Sequence, residues 1–350
     1  MIEYYNFLFL KYSKQRKATL KSGIFTLIEN WDNNEANTIL DSLALIQHCD
    51  ALGLDEVWIG EHHFNNFTLC SAIIPLISAA LAQTQNIKIG SAAILLPHYH
   101  PIRISEEIAT LDLISKGRFL FGFARGAFPI FDIAMGNNAK NNRDIMLENA
   151  QIIHNLLFKE QVNFSGDFFE INNISIRPHP KGLIPFYIAS THKPTLQKAA
   201  NLGYNFLGSL TLDSTGAKEI HQIFQTNAKK YDFTLMRAFY VDKDRKVAEE
   251  KAQIGVDIFT QCMLRANENN PTFESIIKTS DYEEFRADFF NKDKILKTMI
   301  VGTPQDCIEQ IRDLQKEYGV TSLALKLLSS NLEDSKNILN IYKEQILPNL

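Results

Sequence analysis

The sequence predicts an α/β protein built as a (β/α)8 barrel, also called a TIM barrel. Short apolar segments alternate with amphipathic segments along most of the 350 residues. The apolar segments are hydrophobic on both faces, which is typical of parallel strands covered by helices. Eight strand–helix units make a barrel of about 250 residues, so the chain has room for insertions. A doubly wound open sheet is the competing fold, and it is disfavoured because no GxGxxG motif follows the first strand.

The strands are predicted from apolar runs of strand length that are rich in β-branched and aromatic residues. In chain order, the predicted strands cover residues 22–28, 55–60, 86–97, 117–124, 185–190, 205–209, 235–241 and 322–328.

The helices between the strands are predicted from apolar residues at helical spacing and from helix-start signals. In the first helix, Ile39, Leu43 and Ile46 roughly follow this spacing. Pro101 stands at the start of the third helix, a position that proline favours. In chain order, the predicted helices cover residues 37–54, 72–83, 101–115, a stretch from Pro194, and residues 217–231, 246–262, 303–318 and 331–346.

Two long connections are predicted to be insertions after strands 4 and 7. Residues 141–184 combine a helix with a predicted hairpin, and residues 263–300 are polar and rich in asparagine at their start. A loop as long as the second is usually functional or mobile. Residues 1–20 place an apolar patch before a basic cluster, which is not the order of a secretory signal. We expect them to be a disordered extension or the product of an upstream start site, leaving residues 21–350 as a single domain.

The composition argues against several classes of partner and site. The net charge is −4 at pH 7, which gives no reason to expect nucleic acid or an anionic membrane as a partner. No apolar run approaches the roughly 20 residues that a membrane-spanning helix needs. The four cysteines are far apart and form no CxxC pair, which disfavours a zinc or redox motif. The sequence therefore predicts a cytoplasmic protein with buried, reduced thiols.

Unusual polar residues stand where several predicted strands end. They are Glu61, His62 and His63 after strand 2, His98 and His100 after strand 3, Arg125 after strand 4, and the stretch ASTHKPT after strand 5. The C-terminal ends of the strands of a barrel meet at one mouth. We therefore expect these side chains to converge on one active site.

The residue types at this mouth favour an anion site over a metal site. Adjacent residues of a strand point to opposite faces, so His62 and His63 cannot both easily bind one ion. The guanidinium group of Arg125 matches phosphate oxygens bidentately, although a structural ion pair is its alternative role. The hydroxyls and N–H groups of STHKPT precede a helix that starts near Pro194, which is an anion-binding arrangement. We therefore predict an anion site and no metal.

Three segments carry a family resemblance: DEVWIGEHHFNNF, IKIGSAAILLPHYHPIRISEEIATLDLISKGRFLFGFARG and VGTPQDCIEQI. Together they resemble the bacterial-luciferase-like, FMN-dependent monooxygenases, most densely over residues 55–126. The resemblance implies a TIM barrel, often a homodimer, that uses reduced FMN supplied by a separate flavin reductase. The resemblance further implies that molecular oxygen attacks the reduced flavin and that the resulting flavin hydroperoxide oxygenates a small organic substrate.

The resemblance also implies roles for individual residues. His62 would be the catalytic imidazole beside the flavin, and an ordinary imidazole pKa suits proton transfer near neutral pH. Arg125 would bind the flavin phosphate. Ala92 and Ala93 would lie under the isoalloxazine ring, where the family often has a cis peptide. Residues 263–300 would correspond to the mobile loop that covers the active site and excludes water.

Further contacts are implied less directly by the resemblance. The loop after strand 5 would add phosphate contacts at Ser190, Thr191 and Thr195. Polar groups in or beside the active site would be Glu61, His63 and His100. The light-emitting α subunits carry a reactive cysteine where this chain has Ala124. The resemblance therefore does not extend to light emission.

Two other functions stay open on the sequence. The same superfamily contains hydride-transferring enzymes that use a deazaflavin coenzyme, and cofactor preference would distinguish them. Related barrels that bind flavin without turnover also exist. The retention of His62 and Arg125 argues against this last reading.

Overall fold

The predicted barrel is confirmed by a computed structural model that describes residues 20–137, 139–228, 230–265 and 290–350. The twelve strands in these ranges include all eight that the sequence predicts. In chain order they are β1 (Lys21–Thr26), β2 (Glu56–Ile59), β3 (Lys88–Ser91), β4 (Ile94–Leu95), β5 (Phe119–Ala124), β6 (Val162–Ser165), β7 (Glu170–Ile174), β8 (Phe186–Ile188), β9 (Asn205–Gly208), β10 (Phe233–Val241), β11 (Ile300–Gly302) and β12 (Ser322–Leu327).

Parallel pairing closes the strands β1, β2, β3, β5, β8, β9, β10 and β12 into a cylinder. The closure depends on β12, which pairs with both β1 and β10. In this register Ala324 lies beside Gly23 on one side and beside Met236 on the other. The short β4 continues the third barrel strand after a break and pairs with the end of β5. Every barrel strand is parallel to its neighbours, so all their C-terminal ends lie at one face.

Side chains fill the interior at the N-terminal end of the barrel. The ammonium group of Lys21 lies 3.1 Å from the carboxylate of Glu56 and 2.7 Å from that of Asp232. The indole of Trp58 donates to Glu56 at 3.1 Å and lies over Gly90, where a Cβ atom would come within 2.4 Å of the ring. Because side chains occupy this end, the described barrel offers a ligand its entrance at the C-terminal face.

The predicted helices are present, within a few residues of their expected bounds. The short helices Pro129–Ala134 and Lys292–Thr298 were not predicted. The helices of the described ranges are α1 (Glu35–Ala51), α2 (Ile73–Gln83), α3 (Pro101–Ser115), α4 (Pro129–Ala134), α5 (Asn142–Phe158), α6 (Lys193–Asn201), α7 (Ser214–Asn227), α8 (Arg245–Arg265), α9 (Lys292–Thr298), α10 (Pro304–Tyr318) and α11 (Leu332–Ile341), which continues as a π-helical turn (Tyr342–Ile346). Thr303 and Asp306 form a capping box at the start of α10. None of the helices in the described ranges is long and apolar enough to cross a membrane.

The region 141–184 holds one barrel helix and one true addition. Helix α5 packs against α3 in the outer ring, so it is the fourth helix of the barrel itself. The predicted hairpin is confirmed as β6 and β7, which pair antiparallel. The carboxylate of Glu148 on α5 accepts hydrogen bonds from the backbone N–H groups of Asp167, Phe168 and Phe169. These bonds fix the hairpin turn to the barrel.

Two predicted boundaries fall at the edge of the described chain. Of the second insertion, 263–300, residues 266–289 lie outside the described residues, and the remainder ends in α9 and β11, which pairs with β10. The predicted extension 1–20 also lies outside them, except for Leu20. That residue is 6% exposed and belongs to the core, so its placement outside the fold was wrong. The reason is that the backbone of Lys21 already donates to Thr321 and draws Leu20 against the barrel.

Candidate active site

A cavity of about 530 Å³ opens at the C-terminal face of the barrel. Its walls come from residues at or after the ends of β1 to β5, β8 and β9, and from side chains of β10, α4, α5, α8 and α9. The volume is within the range of small-molecule and cofactor sites. Among the residues singled out from the sequence, those that line this cavity are Glu61, His62, Ala92, Ala93, Arg125, Ser190 and Thr191.

The imidazole of His62 lies among aromatic rings on one side of the cavity. Its ring centroid is 5.5 Å from that of Phe128 and 6.3 Å from that of Phe131. Burial, with a smaller effect of the neighbouring His63, lowers the pKa of His62 to about 4. The imidazole is therefore neutral at pH 7, with one ring nitrogen that carries a proton and one that accepts a hydrogen bond.

Glu61 fastens the end of β2 to the strand beside it. One carboxylate oxygen is 2.8 Å from Nε2 of His63 and accepts from the hydroxyl of Tyr99 at 3.0 Å. The other oxygen accepts from the backbone N–H of Leu95 at 3.0 Å. His63 is buried in this network and does not line the cavity. The pair Glu61–His63 therefore holds the backbone on both sides of His62.

Small side chains line the part of the cavity next to β4 and β5. Ala92 and Ala93 are joined by a cis peptide bond, as the family resemblance implies. Ala124 at the end of β5 and Ala189 directly after β8 also line the cavity. Methyl groups at these positions leave room for a flat ring system.

Two guanidinium groups line the same cavity. Burial lowers the pKa of Arg125 below its usual value, and the nearby cation of Arg143 lowers it further, while the carboxylate of Asp132 partly opposes these effects. Like charges held this close repel each other, and a bound anion would remove that repulsion. Both side chains can donate bidentate hydrogen bonds to a phosphate.

The loop after β8 supplies hydroxyl groups ahead of α6. The hydroxyl oxygen of Ser190 accepts from the backbone N–H of His192 at 3.2 Å, and both residues line the cavity together with Thr191. Thr195 is 2% exposed and lies outside the cavity lining. Its hydroxyl is 2.9 Å from Nδ1 of His192 instead. Thr195 thus orients a lining residue and is not placed to contact a ligand directly.

His100 also lies outside the cavity lining. Its Nδ1 accepts from the backbone N–H of Ile102 at 3.3 Å, so it is the N-cap of α3. Its ring packs edge-on against Phe169 of the hairpin, with centroids 5.8 Å apart. Because His100 caps the helix, its side chain is turned away from the mouth of the barrel. Its position shortly after the third strand was therefore not enough to place it in the active site.

Several cavity residues were not found from the sequence. Arg143 is in the first turn of α5, where the positive end of the helix dipole disfavours a cation. That misplaced charge is a signal that sequence reasoning could have used. The aromatic residues Phe128 and Phe290 also line the cavity, and their rings stack with centroids 5.8 Å apart. They come from two distant loops, so no local pattern connects them.

No cluster of three or more potential metal ligands occurs among the described residues.

The family of the chain follows from its sequence. The family described as luciferase-like monooxygenase matches residues 20–322. The chain belongs to this family. The match spans most of the barrel, including every strand end that lines the cavity.

Two proteins of known activity are similar in sequence to this chain. Limonene 1,2-monooxygenase of Rhodococcus erythropolis is 27% identical over 293 residues, covering 82% of this chain and 75% of that protein. The oxygenase component of flavin-dependent trigonelline monooxygenase of Acinetobacter baylyi is 25% identical over 311 residues, covering 84% of this chain and 85% of that protein.

Solved structures support the fold at lower identity. The monooxygenase RslO1 of Streptomyces bottropensis superposes with a TM-score of 0.81 at 20% identity, covering 94% of this chain and 99% of that one. The oxygenating constituent of 3,6-diketocamphane monooxygenase of Pseudomonas putida, solved with FMN, gives 0.75 at 18% identity, with 94% and 98% covered. An F420-dependent secondary alcohol dehydrogenase gives 0.73 at 18% identity, with 95% and 99% covered.

Proposed function

We propose that this chain is the oxygenase component of a two-component, FMN-dependent monooxygenase that acts on a small organic substrate. The observation that carries the proposal is one cavity with two different ends. Arg125 and Arg143 line it together with a neutral His62 and the small residues Ala92 and Ala93. Such a cavity can hold a phosphate, a flat ring and a proton-transfer group at once.

The donor set at the cationic end fits the phosphate of FMN. Arg125 and Arg143 supply two planar guanidinium groups, and Ser190 and Thr191 supply hydroxyls. A phosphate dianion takes its strongest hydrogen bonds from such cationic donors. The isoalloxazine ring would then extend over Ala92 and Ala93, which leave it space. Reduced FMN would supply two electrons and activate molecular oxygen, one atom entering the substrate and the other leaving as water.

His62 would hold and move one proton at the reacting end. A neutral imidazole carries a proton on one nitrogen and a lone pair on the other, so it can donate to a developing oxygen anion or accept from a substrate. The pKa of about 4 keeps it in this form at physiological pH. The rings of Phe128 and Phe131 beside it exclude water, which strengthens each hydrogen bond made there.

The partners follow from this chemistry. Molecular oxygen and a separate flavin reductase would serve the site, and the relative named as an oxygenase component supports such a division of labour. The homodimer implied by the family resemblance stays a prediction, and light scattering of the purified protein would test it.

A deazaflavin-dependent hydride transfer is the second candidate function. It is favoured by the fold shared with the F420-dependent secondary alcohol dehydrogenase. Deazaflavin reacts poorly with oxygen, so such an enzyme would reduce or oxidise its substrate without incorporating oxygen. The two candidates differ in which cofactor the cavity binds tightly.

The test is to mix the protein anaerobically with reduced FMN, add oxygen and follow the flavin absorbance by stopped flow. A monooxygenase component should give a spectral phase, distinct from reduced and oxidised FMN, that outlives the reaction of free flavin. Tight binding without such a phase would favour a non-catalytic flavin-binding barrel. No binding of FMN, together with tight binding of the deazaflavin coenzyme, would overturn the proposal in favour of hydride transfer.

The His62→Ala variant separates binding from turnover. It should bind reduced FMN as tightly as the wild type, because the phosphate contacts are unchanged, yet lose oxygenation of any substrate found in a screen. If the variant keeps full turnover, His62 is not the proton-transfer group.

A further inference from the structure

Arg237 is a cation buried beside the cavity and bound mainly to carbonyl oxygens. It is on β10 and is 2% exposed. Its guanidinium group donates to the backbone carbonyls of Ser209 at 3.2 Å, Leu212 at 2.7 Å and Met236 at 2.9 Å, and more weakly to that of Leu210 at 3.5 Å. No carboxylate of the described chain is within ion-pair distance of it, and its Nε atom has no hydrogen-bond partner there.

A buried charge without a counter-ion is costly, so its position needs a reason. Burial lowers the pKa of Arg237 to about 10, so it still carries its charge at neutral pH. An apolar side chain of similar size would be cheaper to bury at this position. It would, however, leave the carbonyls of Ser209 and Leu212 without a donor. The arginine therefore fixes the conformation of the loop that follows β9.

That loop is a wall of the candidate active site. The five residues 209–213 all line the cavity, and they follow β9, which is opposite β2 in the barrel order. The carbonyls of Ser209, Leu210 and Leu212 are turned towards Arg237. The position of these carbonyls therefore determines the conformation of the loop at the cavity surface.

Helix α9 is connected to the same loop. The hydroxyl of Thr298 is 2.8 Å from the carbonyl oxygen of Leu210, and equally 2.8 Å from that of Lys294 in its own helix. One hydroxyl proton serves both acceptors. Lys294 and Ile295 of α9 line the cavity as well. The carbonyl of Leu210 therefore joins Arg237, the loop and α9 in one chain of contacts.

We infer that Arg237 is a positioning residue: it fixes the loop 209–212 and, through the Leu210 carbonyl and Thr298, the helix α9, and so determines the shape of the cavity wall facing the cofactor. Arg237 does not line the cavity, so it would act through the loop and not by direct contact with a ligand. Its effect on binding rests on the proposed function. Its effect on the loop and the helix does not.

The test compares Arg237→Lys with Arg118→Lys. Lysine keeps the charge but offers one ammonium group in place of a planar fork, so it cannot hold the same carbonyls. Arg118 is a matched control, because its guanidinium donates to the carbonyls of Leu81, Thr84 and Ile87 at the N-terminal end of the barrel. Both substitutions should lower the melting temperature.

Hydrogen exchange read by mass spectrometry needs no cofactor. In Arg237→Lys, exchange should rise in peptides covering residues 209–213 and 292–298, whereas Arg118→Lys should leave both peptides unchanged. Thr298→Val, which removes only the hydroxyl, should raise exchange in 292–298 and leave 209–213 nearly unchanged. This variant keeps the inference testable if Arg237→Lys does not fold. Equal exchange in all variants at both segments would overturn the inference.

The second measurement is the affinity for reduced FMN. Arg237→Lys should raise Kd about tenfold, the equivalent of one good hydrogen bond, while Arg118→Lys should not change it. If the wild-type protein binds no flavin, the proposed function is wrong, but the hydrogen-exchange result still tests the role of Arg237. Normal exchange at 209–213 with weakened binding in Arg237→Lys would overturn the inference while leaving the proposed function intact.

Discussion

Glu61 and His63 are joined across the residue between them, with a carboxylate oxygen 2.8 Å from the Nε2 atom of His63. This pairing occupies both neighbours of His62 and leaves the imidazole of His62 facing Phe128 and Phe131 in the cavity. Glu61 and His63 thus hold the backbone on both sides of His62, and Glu61 and His62 line the cavity.

The first prediction concerns the ionisation of His62. Its pKa in the folded chain is about 4, against 6.5 for an ordinary histidine. Between these values the unfolded chain binds a proton that the folded chain does not. The stabilising contribution of neutral His62 is therefore fully present above pH 6.5 and is lost as the pH falls towards 4. Nuclear magnetic resonance of the imidazole protons should show no titration of His62 above about pH 5.

Urea unfolding gives an independent check on the same group. Between pH 7 and pH 5 the wild type should lose about 1–2 kcal/mol more of its free energy of unfolding than His62→Gln, which has no proton to bind. The same variant assigns the resonance. A titration midpoint near 6.5 would contradict the effect of burial.

Glu61→Gln should destabilise the fold. The carboxylate accepts from His63, Tyr99 and the backbone of Leu95, but an amide would turn its NH2 group towards at least one of these donors. We expect a loss of about 1–3 kcal/mol in urea unfolding, the usual effect of an unsatisfied buried group. Glu35→Gln, at an exposed carboxylate in the first turn of α1, should change stability by less than about 0.5 kcal/mol. Equal effects of the two substitutions would show that Glu61 does not stabilise the end of β2.

Arg125→Ala and Arg143→Ala should each weaken the binding of FMN. Loss of a charge-assisted hydrogen bond costs about 1.5–3 kcal/mol, which corresponds to roughly 10- to 150-fold in Kd. Riboflavin has no phosphate, so its affinity should change little in either variant. Fluorescence titration with both flavins makes the comparison.

Arg177→Ala is the matched control for the two cavity arginines. Its side chain is 64% exposed and pairs with Glu160 away from the cavity. It should leave both flavin affinities unchanged. If FMN and riboflavin weaken equally in Arg125→Ala and Arg143→Ala, the phosphate assignment is wrong.

Gly90→Ala should disturb the barrel interior. A methyl group there would lie 2.4 Å from the ring of Trp58, closer than carbon atoms can approach. Overpacking of this kind costs about 1–3 kcal/mol. The double variant Gly90→Ala, Trp58→Phe should be less destabilised than the sum of the two single changes, because the smaller ring leaves space. Gly182→Ala, with nothing within 4 Å of the new methyl group, is the control; additive effects would show that the two sites do not touch.

The arrangement of the barrel could be predicted because it rests on local patterns. Runs such as FLFGFA, buried almost throughout in β5, are apolar on both faces, and this alone requires a strand covered on both sides. Helix starts such as Pro101 and the Thr303–Asp306 box are equally local. The C-terminal ends then had to meet at one face, which is why Glu61, His62 and Arg125 were expected together.

Other parts of the site depend on contacts that no local pattern reports. Arg143 falls within the predicted insertion 141–184, yet α5 brings it to the same cavity as Arg125. Conversely, His100 and Thr195 have the right residue types, but the first caps α3 and the second holds His192. A side chain's type indicates what it can bind, and only its helix or loop determines where it points.

By itself, the sequence determined the order of strands and helices, the end of the barrel that carries the chemistry, and the residue types available there. Tertiary structure decided which of them share the cavity and which hold their neighbours in place. The physical reason is the range of the interactions. Hydrophobic periodicity and capping act over a few residues, whereas the contacts from Arg237 to Ser209 and from Thr298 to Leu210 join positions 28 and 88 residues apart.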